Sequence, residues 1–192
     1  MQNLDEILKL ADLEAEPMGL LVVDARFTQQ GRNRVLEVSI CRKGGRISLT
    51  DCEALSRKLD KLLDEHEPPV IEGRYMLEVQ SPGLDRQLKT PREYQIFAGE
   101  MVEVKAKESI PGLGDHFTAI LQTLIDGVVS LASPKKIEVD NKQKKKAKAK
   151  APAPEPPKNI SLDLKSITQL RLYPIEPAEA LQEEENEPEL SV

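Results

Sequence analysis

Residues 75–105, YMLEVQSPGLDRQLKTPREYQIFAGEMVEVK, decide how this chain divides. Tyr75, Leu77 and Val79 alternate with Met76, Glu78 and Gln80, the period of a half-buried strand. Pro82 fixes φ and drives Ser81 towards an extended backbone, while Gly83 supplies any positive φ the bend requires. Thr90-Pro91-Arg92-Glu93 predicts a helix start: a hydroxyl cap, a proline at the first helical position, and an acid placed to complete a capping box. Tyr94 and Phe97 share one face of that short helix, and Gly99 ends it. The expected order is a strand, a Ser-Pro-Gly turn, a polar connector with Asp85 and Arg86, a helix, and the first strand of a second unit.

On the N-terminal side, Asn3 and Glu6 fit the start of a first helix, with Leu4, Ile7, Leu8 and Ala11 as its apolar face and Pro17 and Gly19 closing it. Gly19–Phe27 and Arg34–Cys41 read as two strands of a hairpin. Ser48 and Asp51 open a second helix, along which Cys52, Leu55, Leu59, Leu62 and Leu63 recur at helical spacing until Pro68-Pro69. Residues 1–88 are therefore expected to form an α-β-β-α-β domain, three strands covered on one face by two helices.

On the C-terminal side, residues 101–107, 116–124, 128–131, 160–164 and 168–173 read as short strands, with a hairpin signal at Asp126-Gly127 and a 3₁₀ turn at Lys165-Ser166-Ile167. Short strands separated by turns favour a small barrel over residues 89–174, so the class is α+β. The stretch PKKIEVDNKQKKKAKAKAPAPEPPK, residues 134–158, cannot bury a core and interrupts that domain as a disordered insertion. Residues 175–192 form an acidic tail.

Composition narrows the function. Aromatic residues make up only 3% of the chain and tryptophan is absent, so the cores must be aliphatic. No apolar run has the length of a membrane span, and MQNLDEILKL has acids where an export signal needs lysines. Cys41 and Cys52 have no partner pattern, which suits a reducing cytoplasm and gives no metal signal. His66 and His116 stand alone, so no metal, cofactor or nucleophilic triad is expected. The net charge of −6 is unevenly spread. Residues 1–90 hold 13 Lys+Arg against 16 Asp+Glu, residues 91–174 hold 14 against 10, and residues 175–192 hold none against 7. A basic tract next to an acidic tail suits docking on a mixed RNA–protein surface.

The stretch LEVQSPGLDRQLKTPREYQIFAGEMVEVK closely resembles the signature of the bacterial RimP family of ribosome maturation factors. The likeness in element order extends over roughly residues 4–173. Gln87 stands where many relatives have proline, the first helix is short, and the lysine-rich insertion is a further departure. The resemblance implies that the second domain is an SH3-like or Sm-like barrel. It also implies a monomeric, cytoplasmic, non-catalytic factor that binds the immature small ribosomal subunit and assists late ribosomal-protein binding and rRNA folding. A ribosomal protein near the decoding centre would be one contact; no small-molecule substrate is expected. The alternative is a free RNA-binding regulator that uses the barrel, which would need exposed aromatic platforms.

Three groups are candidate contacts. Ser81, Pro82, Gly83, Asp85 and Arg86 form either a directional turn in which Asp85 and Arg86 pair, or an exposed ridge that meets the ribosomal subunit. Arg42, Lys43 and Arg46 precede the second helix, where free N–H groups and positive side chains can hold phosphate. Against that, Asp51 and Glu53 already complement the helix dipole, and a solvated loop is the plainer reading. Lys142, Lys144, Lys145, Lys146, Lys148 and Lys150 form a solvating linker or a tether that neutralises rRNA phosphates without base choice. The tail is either solvating or folded back on that tract.

Overall fold

The computed structural model describes residues 4–43, 46–137 and 157–173. The chain divides into two compact units, Met1–Gly83 and Leu84–Val192.

In the first unit, helix α1 (Leu4–Ala15) runs into a 3₁₀ turn, Glu16–Met18, with Pro17 in its first turn. Gly19 ends that turn at φ 66°, left-handed backbone that a residue with a Cβ adopts only at a cost. The expected cap of α1, Asn3, lies outside the described residues. Strands β1 (Leu21–Gln30) and β2 (Asn33–Cys41) pair antiparallel, with a register shift between Val22 and Asp24. Helix α2 (Leu49–Glu65) follows, and β3 (Met76–Gln80) then pairs parallel to β2. The parallel pair needs a crossover, and α2 supplies it. The three-stranded sheet has the order β1-β2-β3.

The core is the meeting of three apolar sets. Ile7, Ala11 and Ala15 come from α1, Leu55, Leu59 and Leu63 from α2, and Val22, Ala25, Leu36, Val38 and Ile40 from β1 and β2. Leu77 and Val79 of β3 pack against this cluster from the edge. The α-β-β-α-β unit expected from periodicity is therefore present, with its aliphatic side chains as the bulk of the buried volume.

In the second unit, α3 (Pro91–Ile96) precedes β4 (Met101–Ile110), β5 (Gly114–Ile125), β6 (Val128–Lys136), β7 (Asn159–Asp163), a 3₁₀ turn (Leu164–Ser166) and β8 (Ile167–Leu172). The five-stranded antiparallel sheet has the order β7-β6-β5-β4-β8. Among the described residues no ladder joins β7 to β8, so the sheet is not a closed barrel. Val102, Val104, Phe117, Leu121, Leu131 and Leu170 are at most 2% exposed and form its apolar side. Asp126 and Gly127 both have positive φ (50° and 79°), the two-residue turn that matches strand twist between β5 and β6.

Strand β6 continues further than composition suggested. Pro134, Lys135 and Lys136 belong to it, and Thr118 pairs with Lys135 and Phe117 with Lys136. Two local facts permit this. Ser133 takes φ 48° at a register shift, re-aiming the strand, and beyond Ala132 no β7 residue needs an N–H from Pro134.

Candidate functional site

The connector after β3 is fixed by a buried acid. Glu93, 2% exposed, receives the backbone N–H groups of Lys89 (2.7 Å) and Thr90 (2.8 Å) on Oε2, together with the Thr90 hydroxyl at 3.1 Å. Its Oε1 takes the Nε of Arg86 at 2.6 Å. Burial pushes the Glu93 carboxyl up, but the Lys89 and Thr90 N–H groups and the Arg86 charge outweigh it and hold the group below the ordinary value. The capping box seen in the sequence is present, and Arg86 joins it from outside the helix.

The same connector lies along β8. Leu88 N–H donates to Leu170 O and Leu172 N–H donates to Arg86 O, both at 2.9 Å, while Gln87 bridges Arg171. Arg86 and Glu93 thus anchor a short added segment on the β8 edge of the second unit's sheet. Among the expected contact residues, Ser81, Gly83 and Asp85 are exposed, Pro82 is half-buried, and the Arg86 side chain is only 13% exposed. Leu84, not singled out from the sequence, is 72% exposed, large for an unpartnered leucine.

The basic loop splits into unlike members. Arg42 is spent internally: its Nη1 donates to Met18 O (3.2 Å) and Gly19 O (3.4 Å), and its Nη2 pairs with Asp51 Oδ1 at 3.1 Å. It ties the end of the first 3₁₀ turn to the start of α2. The Ser48 N–H and hydroxyl, assisted by Arg42, hold the Asp51 carboxyl below its ordinary value. Lys43 and Arg46 are exposed. The six lysines of the tract, Lys142 to Lys150, lie outside the described residues, as does the acidic tail.

Sequence reasoning missed one cluster. Glu103 on β4 is 5% exposed, yet it sits on the side of the sheet opposite Val102 and Val104. Its Oε2 takes the Nε (2.8 Å) and Nη2 (2.6 Å) of Arg171, and its Oε1 lies 2.6 Å from His116 Nε2. Burial raises the Glu103 carboxyl, but the bonds from His116 and Arg171 outweigh it and the net displacement is downward. An ionised carboxylate has no proton to give, so His116 carries hydrogen on Nε2 and donates it. The partners are 13 and 68 residues away in sequence, so no local pattern announces them.

These groups fix local geometry. The Cys52 thiol is pushed up by burial and by the Asp51 charge, the opposite of an activated nucleophile. Among the described residues no three His, Cys, Asp or Glu side chains gather to hold a metal, and no helix is long and apolar enough to cross a membrane.

With this geometry in place, the relationship to known proteins is direct. Residues 11–85 match the family model described as the RimP N-terminal domain. The first unit is therefore a RimP N-terminal domain, with the match ending at Asp85 in the connector. The match supports an assignment to the RimP family, which is linked to ribosome maturation.

Proposed function

We propose that this protein is a cytoplasmic, non-catalytic assembly factor that binds the immature small ribosomal subunit and assists late ribosomal-protein binding and rRNA folding. The observation that carries this reading is the RimP N-terminal domain at residues 11–85. The mechanism is differential binding: the factor favours a conformation of the precursor that accepts the next ribosomal protein, and leaves when the mature surface forms. A ribosomal protein beside the decoding centre and the neighbouring rRNA are the partners of this reading, and the factor acts as a monomer.

Within it, Ser81, Pro82, Gly83 and Asp85, with Leu84, form the ribosome contact, and Arg86, paired with Glu93, fixes the connector that follows them. The Arg86–Glu93 pair supports this division of roles, because it anchors the connector before any partner arrives and so lowers the ordering cost of binding. Lys43, Arg46 and the tract Lys142, Lys144, Lys145, Lys146, Lys148 and Lys150 supply charge towards rRNA phosphate, with Arg42 holding the loop's base. The sheet of the second unit, although no ladder closes it between β7 and β8 among the described residues, is read as an open form of the Sm-like or SH3-like barrel. Its order β7-β6-β5-β4-β8 and the 3₁₀ turn between β7 and β8 support that reading.

A free regulator that stacks bases on the second unit is less well supported. Tyr94, Phe97 and Phe117 are at most 6% exposed, which removes them as stacking platforms. Cross-linking the chain to purified small-subunit precursors, then mapping both partners, tests the proposal. Cross-links from residues 81–85 to the precursor are expected; cross-links confined to messenger RNA would favour the regulator.

A further inference from the structure

The outer face of the second unit's sheet carries a cross-strand pattern that the functional reading does not use. In register order, Arg171 of β8 faces Glu103 of β4, Glu103 faces Thr118 of β5, and Thr118 faces Lys135 of β6. One row along, Gln169, Lys105 and His116 stand side by side on β8, β4 and β5. Partners in an antiparallel ladder share a face, so these side chains lie on one surface, opposite Val102, Val104, Phe117 and Leu170.

The charge on that surface is not what a count gives. Its acid, Glu103, is 5% exposed and already engaged by Arg171 on one oxygen and His116 on the other. Lys105 reaches it only at 4.0 Å and keeps 44% of its side chain exposed; Lys135 is exposed. The acid is thus neutralised within the face, and Lys105 and Lys135 remain as positive charge towards solvent. Thr118 and Gln169 add neutral hydrogen-bonding groups between them, and the rows contain no phenylalanine, tyrosine or tryptophan.

The geometry points to this face as a docking surface for the phosphate backbone of helical RNA, with Lys105 and Lys135 as the phosphate-neutralising residues and Glu103 as the positioning residue that holds Arg171 and His116. Charge complementarity selects a polyanion. These two rows carry no aromatic side chain, and the half-buried Tyr173 lies one row further along beside Met101; a face of this kind favours a paired backbone over stacked single-stranded bases, since single strands are held by stacking and duplex RNA by phosphate and sugar contacts. The inference rests on the ribosome-binding reading and adds to it a surface outside residues 81–85 and the lysine tract.

The test compares the full chain with Lys105→Gln/Lys135→Gln and with a control, Lys9→Gln/Lys61→Gln. The control removes two exposed lysines of the first unit that sit 3.6 and 3.9 Å from carboxylates. Binding to purified small-subunit precursors and to a short RNA duplex is measured across a potassium chloride series. The Lys105/Lys135 variant should weaken duplex binding about tenfold at low salt and reduce the log–log salt slope by about 1.5. The control should match the unaltered chain. An unchanged slope in the Lys105/Lys135 variant, or an equal loss in the control, overturns the inference while leaving precursor binding in place. Tighter binding to a single strand of the same sequence than to the duplex also overturns it. If the unaltered chain binds neither precursor nor duplex, the ribosome-binding reading fails as well.

Discussion

Arg86 and Glu93 are seven residues apart, and their contact converts a stretch of turn chemistry into a fixed shape. Because Glu93 is 2% exposed, removing its cation leaves a buried carboxylate held only by the Lys89 and Thr90 donors. Arg86→Ala should cost about 3 kcal/mol. It should speed amide exchange at Leu88 and Leu172, which bond across this connector, by about a hundredfold. Unchanged exchange at both amides would mean that the pair does not hold the connector. The pH dependence follows from the same group. The carboxyls of Glu93 and Glu103 lie below the ordinary 4.5 in the folded chain, so their stabilisation is complete above that value and is lost as pH falls through their folded values. Acid should therefore loosen the second unit, as read by exchange at β4 and β8, and Glu93→Gln should flatten that response. In the first unit, Gly19 combines φ 66° with Arg42 Nη1 only 3.0 Å from where a Cβ would stand. Gly19→Ala should destabilise by about 1–2 kcal/mol in urea unfolding, and more than the same change at Gly31, which has a similar φ but open space around it.

Elements carried by local chemistry were legible from the sequence. Both capping boxes, Ser48 with Asp51 and Thr90 with Glu93, are where a hydroxyl followed three residues later by an acid places them. The Asp126-Gly127 turn and the aliphatic stripe of α2 follow from residue type and spacing alone. What was not legible depends on partners distant in sequence. The attachment of residues 86–88 to β8 joins segments far apart in sequence, and reading the sequence offered Arg86 a pair with Asp85 or a ribosome contact without pointing to Glu93. The Glu103 cluster was hidden for the same reason. The start of the insertion was misplaced because composition registers Pro134 and two lysines as breakers, while the ladder to β5 holds them in β6. Strands β6 and β7 pair from Val128 to Ala132 through residues outside the tract. Replacing residues 139–155 with a Gly-Ser linker should leave the β6–β7 amides protected and flatten the salt dependence of precursor binding. An unchanged salt slope would reduce the tract to a solvating spacer.

At the scale of the whole molecule, each unit is a small aliphatic fold with its charged groups committed to shape. Arg42, Glu93 and Glu103 are satisfied from several sides. That pattern, on a chain that carries a RimP N-terminal domain, is compatible with the proposed recognition of a precursor particle. Such a factor must distinguish unfinished subunits from finished ones, because a partner bound equally by both states shifts neither. The direct measurement is a sucrose gradient of growing cells in which the chain is followed across small-subunit precursors, mature small subunits and polysomes. The account predicts that it travels with precursors lacking late proteins and is depleted from mature subunits. Finding it only in the free fractions or with polysomes would contradict the account.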